Sequence, residues 1–462
     1  MRRILISLML ATPMGAAVAQ TIGLDTRFGS GGIATYTALG AADLQSTGLA
    51  ACAGPNGTLN VAAEVGTSNL SLFRIKANGA LDTSFGLSGV QANMATTSIT
   101  TIKLGTCLSS GAILVARVIR GTDLDQNIQL VKLTQDGVFD TNFGAAGMVT
   151  LNLDEHLSGL GNTEYPLGIN IGAGNDIYIS GSATLASGVS DAFVAHLTPT
   201  GTVSAVRLVN FAGFETSAAT TAGIGPNDRL WVGGHGLHPA SNQSRWFKAE
   251  LDAVSGQVQS VVTAGSGHYT VGSGRILPTG VMVVPSAWRN PDLSNAPLQP
   301  RLVVLRETGA SEVVLPDLPA IAGQPLSINS HWLFGSVIPI AGGRVLYGAG
   351  LRLLHEESHA PQLAGSDVGT YASVVTLGAL PTEDGVYTDF GNHGATTFSY
   401  RGVGGTCANN IPTSQRPVRY SNWMGKPVLA GLAAPYCEAE STHVMVARMH
   451  ADDTLFASDL GG

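Results

Sequence analysis

His355-Glu-Glu-Ser-His359 is the segment of the chain that most closely matches a catalytic motif. In zinc proteases the two histidines of His-Glu-x-x-His lie one helical turn apart and bind the metal, while the glutamate activates water. Here the motif follows a strand-like apolar stretch, 344–354, and Pro361 comes two residues later. In an extended backbone, histidines four positions apart are separated by about 13 Å, which is too far for one zinc ion. We therefore expect a polar loop between strands.

Two further segments resemble binding loops only in part. Asp123-Leu-Asp-Gln-Asn127 alternates oxygen-bearing side chains as calcium loops do, but it lacks the glycine at position six and the distal glutamate of an EF-hand. We expect a solvated hairpin loop there. Gly29-Ser-Gly-Gly32 is rich in glycine, but neither a helix nor a lysine follows it as in phosphate-binding loops. We predict no catalytic residue, no metal site and no cofactor.

Tryptophan and histidine are concentrated in the second half of the chain. They are Trp231, Trp246, Trp288, Trp332 and Trp423, together with His235, His238, His268, His331, His355 and His359. Aromatic rings stack on the apolar faces of sugars, so these residues could form a face that binds a glycan or a peptide. The alternative is that the tryptophans fill gaps between structural units. Trp231 lies inside a predicted strand, which favours the second interpretation for that residue.

These candidates belong to a chain that is built from repeats. A phrase of the form apolar-Asp-Thr-x-Phe-Gly-x-x-Gly occurs at 24–32, 81–89 and 139–147, in steps of 57 and 58 residues. The Asp and Thr side chains can bond nearby main-chain N–H groups and fix a turn, and the glycines allow positive φ. We expect the phenylalanines to anchor this turn between units; they are Phe28, Phe85 and Phe143.

Each repeat contains four short apolar segments that are separated by turn signals, as in strands joined by hairpins. The internal turn with the apolar strand that follows it recurs seven times, at Gly57, Gly111, Asn175, Asp228, Gly280, Gly343 and Gly425. Seven four-stranded units predict an all-β fold, a seven-bladed β-propeller. A β-solenoid or an array of β-sandwiches fits this unit less well. The two chain ends supply complementary parts of one unit, so we predict that residues 32–38 pair with residues 442–450 and close the ring.

The phrase with its upstream turn, as in Lys76-Ala-Asn-Gly-Ala-Leu-Asp-Thr-Ser-Phe-Gly86, resembles the delta-60 repeat of exported bacterial proteins. The resemblance covers residues 21–150 and returns at 370–394. It implies a propeller-like fold of repeats that approach sixty residues. It implies no agreed activity and no catalytic residues.

The N-terminus is typical of a secretory signal. Arg2 and Arg3 precede the apolar run 4–11, and Ala17-Val18-Ala19 forms a cleavage site before Gln20. We predict a signal peptide over 1–19, cleaved after Ala19, and one propeller domain over 20–462 with seven repeats of roughly 52–76 residues. The protein is then exported to the periplasm or beyond the cell.

Four cysteines in an exported chain suggest two disulfides, which allow three pairings. Cys52 and Cys107 precede equivalent turns in adjacent repeats, while Cys407 and Cys437 both fall in the last repeat. We favour the pairs Cys52–Cys107 and Cys407–Cys437. Four unpaired buried thiols are the alternative.

Charge and hydropathy exclude some classes of partner. Without Arg2 and Arg3, 22 of the 24 basic residues remain against 32 acidic ones, which disfavours nucleic acid and anionic membrane surfaces. No later apolar run is long enough to cross a membrane. We therefore expect a monomeric secreted propeller that binds or scaffolds an unknown protein or glycan and is not an enzyme. The alternative is a hydrolase or lyase that acts on glycans or peptides at the central funnel.

Overall fold

The computed structural model describes residues 24–450 with some gaps. The residues between these limits that it does not describe are 37–45, 66–68, 93, 95–98, 121–124, 211–213, 226–227, 239–242, 253–254, 265–267, 271–273, 289–297, 318–325, 329–335, 341, 354–366, 391–392, 399–414, 425 and 434–442. The predicted signal peptide over 1–19 lies outside the described residues and stays a prediction.

The described strands follow one another in seven groups. Blade one contains β2 (Ser46–Ala53), β3 (Leu59–Val65), β4 (Asn69–Ile75) and β5 (Val90–Gln91). Blade two contains β6 (Ile99–Cys107), β7 (Ile113–Arg120), β8 (Gln126–Leu133) and β9 (Met148–Leu151). Blade three contains β10 (Leu160–Ile171), β11 (Ile177–Leu185), β12 (Ser190–Leu197) and β13 (Val203–Val209). Blade four contains β14 (Thr216–Ile224), β15 (Leu230–His238), β16 (Gln243–Leu251) and β17 (Val258–Ala264).

The later blades are less regular. Blade five contains β18 (His268–Thr270), β19 (Arg275–Ile276), β20 (Met282–Trp288), β21 (Gln299–Arg306) and β22 (Gly309–Val314). Blade six contains β23 (Leu326–Ile328), β24 (Ser336–Ile340), β25 (Arg344–Leu353), β26 (Asp367–Thr376), β27 (Gly385–Val386) and β28 (Ala395–Phe398). Blade seven contains β29 (Gln415–Trp423), β30 (Lys426–Ala433), β31 (His443–Arg448) and β1 (Ile33–Tyr36). Short 3-10 turns lie at Pro55–Gly57, Leu153–Glu155, Ala173–Asn175 and Pro381–Glu383.

Seven antiparallel sheets form a seven-bladed β-propeller, which confirms the predicted fold class. In each blade the first strand in the chain is the innermost, and blades five and six build this inner strand from two pieces. Seven clusters of buried hydrophobic residues occupy the seven gaps between neighbouring blades, including the gap between blades seven and one. Because both faces of a blade are covered, its middle strands are nearly continuous apolar runs, as in Leu59–Val65.

The N-terminal strand closes the ring. β1 pairs antiparallel with β31, and its register runs from Ile33 opposite Ala447 to Tyr36 opposite Val444. This pairing lies within the ranges 32–38 and 442–450, so the predicted closure is confirmed. Blade seven therefore takes its outer strand from one end of the chain and its other three strands from the opposite end.

Asp25 lies at this closing joint and is fully buried. Its Oδ2 contacts Nζ of Lys426 and lies 3.0 Å from Nη2 of Arg448, and its Oδ1 accepts a hydrogen bond from Nε of Arg27 at 3.1 Å. Burial raises the pKa of Asp25, but the hydrogen bonds from Lys426 and Arg27 and the charge of Arg448 outweigh burial. The pKa therefore lies well below its usual range, and Asp25 is an anion among three cations.

A disulfide joins the first two blades. Cys52 and Cys107 lie at the ends of the inner strands β2 and β6, with a Cα–Cα distance of 5.4 Å. This confirms the first predicted pair. Cys407 and Cys437 lie outside the described residues, so the second pair stays a prediction. Within the described part of the chain, no helix is long and apolar enough to cross a membrane.

The repeated phrase forms a joint between blades. Its three phenylalanines are buried, and each donates its main-chain N–H to the carbonyl of the phrase aspartate at 2.9 Å. Gly29 of the first copy donates its N–H to the carbonyl of Asn78 in blade one at 2.9 Å. The adjacent Gly79 has a positive φ, and a Cβ there would lie 2.6 Å from the nitrogen of Gly29. The turn can approach this closely only with glycine.

A basic residue completes three of these joints. Arg448, Arg74 and Lys132 lie over the rings of Phe28, Phe85 and Phe143, at 4.9, 4.0 and 5.5 Å from the ring centroids. The same three side chains donate to carbonyls of the following blade, namely Ala77, Gln135 and Pro199. We call this arrangement the base–phenylalanine latch. It links blades seven, one, two and three in succession.

Candidate functional site

The two faces of the ring are built differently. The inner strands of blades one and two run in the same direction, because the disulfide joins their C-terminal ends. We call the face where inner strands end the lower face, and the opposite one the upper face. The latches and the first-to-second strand turns, such as 54–58 and 108–112, lie at the lower face.

At the upper face, the connections between second and third strands differ in length from blade to blade. In blade one, residues 66–68 connect the second and third strands, whereas 289–298 and 354–366 do so in blades five and six. The described strand ends show that these segments begin and end at the upper face. Binding and catalytic residues concentrate on loops that a rigid scaffold positions. The upper face is therefore the candidate functional surface.

The His-Glu-x-x-His motif belongs to one of these connections. Residues 355–359 lie within 354–366, outside the described residues. β25 ends at Leu353 and β26 begins at Asp367, and Arg352 pairs with Asp367 across the hairpin. The motif therefore occurs between two strands, as the sequence predicted. The predicted absence of a zinc site stays a prediction.

Glu164 is a buried carboxyl in the upper half of inner strand β10. Its Oε1 accepts a hydrogen bond from the N–H of Leu153 at 3.1 Å, and its Oε2 has no hydrogen-bond partner among the described residues. Burial raises the pKa of Glu164 to about 8, with a smaller upward contribution from the charges of Asp125 and Asp154. Glu164 therefore carries a proton at neutral pH, as a general acid must. Its side chain, however, has no exposed surface.

The segment compared with a calcium loop lies in a hairpin, but it is not wholly a solvated loop, because Gln126 and Asn127 belong to β8 and Gln126 is buried. β7 ends at Arg120 and β8 begins at Gln126. Residues 121–124 lie outside the described part, and Asn127 donates its side-chain amide to Oδ2 of Asp125 at 3.1 Å. Over the described ranges, no group of three or more His, Cys, Asp or Glu side chains is placed to hold a metal ion.

Tryptophan and histidine from blade four meet blade five in the gap between them. The ring centroids of His235 and Trp246 lie 5.4 Å apart at an interplanar angle of 69°, and Nε1 of Trp246 donates to Oγ of Ser286 at 3.4 Å. Burial lowers the pKa of His235 to about 4, so its imidazole is neutral. Its Nδ1 has no hydrogen-bond partner among the described residues.

A buried lysine, Lys248, lies nearer the lower face in the same gap. Nζ of Lys248 lies 3.6 Å from the centroid of the Trp231 ring, and both side chains are almost completely buried. Burial lowers the pKa of Lys248 to about 8, against the opposing charges of Glu307 and Glu250. The attraction of the indole face for a cation partly offsets this cost of burial.

Most described tryptophans fill gaps between blades. Trp231, Trp246 and Trp423 are at most 2% exposed, and the ring of Trp423 meets Phe28 edge-on at 6.1 Å. For these three the gap-filling interpretation is correct. Trp332 lies outside the described residues. Trp288 differs because it ends β20 at the upper face and is only partly buried.

Trp288 belongs to a mixed aromatic and basic surface. Cζ of Arg301 lies 5.2 Å from the centroid of its ring. Ser286, Arg301 and Val314 are paired across β20, β21 and β22, so Arg301 and Val314 share the face that carries Trp288. We call Trp288, Arg301 and Val314 the blade-five platform. Sequence reasoning selected Trp288 but missed the other two, because only the strand register brings them together.

The chain has no match among family models or curated proteins. Solved structures with a similar chain course include a PL25 ulvan lyase, at 10% identity and a TM-score of 0.46 over 88% of this chain and 93% of that one. The polysaccharide lyase Uly1 is 11% identical, with a TM-score of 0.43 over 85% of this chain and 88% of that one. Hydrazine synthase of Kuenenia stuttgartiensis is 10% identical, with a TM-score of 0.41 over 79% of this chain and 99% of that one. At this level of similarity, with such different activities, the comparisons assign no function to this chain.

Proposed function

We propose that this chain is an exported binding or scaffold propeller that holds a protein or glycan ligand at its upper face without transforming it. One observation supports the proposal above all others. The long connections of the lower face, 76–89 and 134–147, carry latch phenylalanines that hold the ring together, whereas the upper-face connections between second and third strands lengthen from three residues in blade one to thirteen in blade six. A rigid ring that presents variable loops on one side is suited to recognition.

The proposal also covers how the chain is exported and which repeat family it belongs to. It comprises a signal peptide cleaved after Ala19, export as a monomer, and membership of the delta-60 repeat family. The disulfide between Cys52 and Cys107 supports an oxidising compartment. The latches support the family assignment, because they give the recurring positions of the phrase a structural role in joining blades.

The experiment compares the two faces. The connections 289–298, 354–366 and 434–442 are replaced one at a time by a two-residue Asn-Gly turn, which closes antiparallel hairpins. Controls at the lower face are Leu87→Ser and Met424→Ser, since both side chains are largely exposed. Binding is measured on glycan and peptide arrays. We expect at least one upper-face replacement to abolish binding and both controls to retain it. Loss of binding only in the lower-face variants would overturn the proposal.

A hydrolase or lyase acting on glycans or peptides at the central funnel is the second candidate. The observation in its favour is the protonated carboxyl of Glu164 in an inner strand. Each array ligand is therefore incubated with the protein, and new reducing ends, unsaturated uronates and cleaved peptides are measured. Turnover that is lost in Glu164→Gln would favour the enzyme. Intact ligands would favour the binding protein.

A further inference from the structure

The blade-five platform differs from the other cation–aromatic contacts of the described residues. Those contacts pair Arg74 with Phe85, Lys132 with Phe143, Lys248 with Trp231, Arg344 with Tyr387 and Arg448 with Phe28 and Trp423. All of these lie in the lower half of the ring, and three belong to the latches. The contact between Arg301 and Trp288 lies at the upper face, away from the latches.

The guanidinium of Arg301 has bonding capacity to spare. Its Nη2 donates to Oε1 of Gln299 at 3.3 Å, and its Nε, which is shielded from water, has no hydrogen-bond partner among the described residues, so an external anion would reach the guanidinium at its Nη atoms. No carboxylate of the described part of the chain forms an ion pair with it. A guanidinium presents donors in a planar fork that matches carboxylate and sulfate groups. An anionic group from outside the chain would satisfy this charge.

The surroundings of Arg301 are open and apolar. Val314 lies beside it on the outer strand and is 54% exposed, so blade four does not cover this part of the face. Trp288 is partly exposed on the other side. An indole, a guanidinium and an exposed valine side by side match the alternating apolar faces and charged groups of an acidic sugar.

We propose that the blade-five platform is a subsite for an anionic polysaccharide, with Arg301 binding a carboxylate or sulfate and Trp288 packing against the sugar ring. This inference rests on the proposed binding function of the upper face. The chain itself is acidic, with a formal net charge of −8. Bulk charge therefore repels a polyanion, and binding requires a local site such as this one.

The experiment uses the full mature chain and four polysaccharides: polygalacturonate, alginate, dextran sulfate and neutral dextran. Affinity is measured by isothermal titration calorimetry. We expect binding to a carboxylated or a sulfated polymer and none to neutral dextran. Arg301→Met and Trp288→Ala should each weaken binding about tenfold, and Arg301→Lys less, because Lys retains the charge but not the fork. The two kinds of acidic polymer distinguish a carboxylate from a sulfate as the anion.

Arg344→Met is the matched control, because it removes an arginine that stacks on an aromatic ring at the lower face. It should bind like the unmodified chain. If Trp288→Ala fails to fold, the two Arg301 variants decide the matter. The inference fails if no acidic polymer binds, if the Arg301 variants bind normally, or if Arg344→Met loses binding equally. A chain that binds a peptide or neutral glycan at the upper face, but no acidic polymer, would keep the proposed function and remove only this subsite.

Discussion

Replacing Asp25 by asparagine should loosen the closure of the ring. The amide side chain would keep the size of the carboxylate but would leave Lys426 and Arg448 facing each other without an anion. Removing one partner of a buried ion pair typically costs about 3–5 kcal/mol. We take about 3 kcal/mol, since Lys426 is partly exposed. If this cost falls on the local opening of β1, amide exchange over Ile33–Tyr36 should accelerate about 150-fold.

The assay is native-state hydrogen exchange, and the phrase supplies matched controls. Asp82 and Asp140 hold the same position in the other two copies, but their side chains are partly exposed and each pairs with a single lysine. Asp82→Asn and Asp140→Asn should leave exchange in β1 unchanged. Because the pKa of Asp25 is depressed by folding, its contribution is present above about pH 4 and decreases as the pH falls towards the folded pKa. Unchanged exchange in Asp25→Asn, or equal acceleration in all seven blades, would refute the assigned role.

Three further predictions concern stability, each measured by urea unfolding. Lys248→Met should stabilise the chain by about 1 kcal/mol at pH 7, because the pKa of Lys248 in the folded state, about 8, lies below the usual lysine value. This gain in stability should shrink at pH 10, where Lys248 is neutral in the folded state. An equal gain at both pH values would contradict the prediction. The raised pKa of Glu164 predicts that the unmodified chain loses stability as the pH rises from about 5 to about 8.5, and that Glu164→Gln loses less. If the free energy of unfolding of both proteins changed equally with pH, Glu164 would not be the cause of the loss. Replacing Cys52 and Cys107 by serine should lower the free energy of unfolding by about 4 kcal/mol, since the disulfide links residues that are 55 positions apart. Dithiothreitol should lower the urea midpoint of the unmodified chain but not that of the double variant. An unchanged midpoint in the double variant would contradict the stabilising role.

The fold could be predicted from the sequence because its signals are local. Turn residues recur at a fixed spacing, and Phe28 occupies the same position in its phrase as Phe85 and Phe143 do in the two later copies. The closing pair of β1 and β31 followed from the complementary chain ends. The candidate site could not be predicted in the same way. Arg301 and Val314 become neighbours of Trp288 only through strand register, and the burial of Glu164 depends on how blade three packs on blade two.

The position of the latch has a consequence for how such a chain can grow. The phrase leads into the outer strand of one blade, and the three strands after that one are the first three strands of the next blade. The unit that a gene duplication would copy is therefore offset by one strand from the unit visible in space. Inserting one more copy would add a whole blade and leave the closing contact between the termini unchanged. A protein with this arrangement can change the number of its blades in evolution while it keeps the same closing pair of strands, β1 and β31.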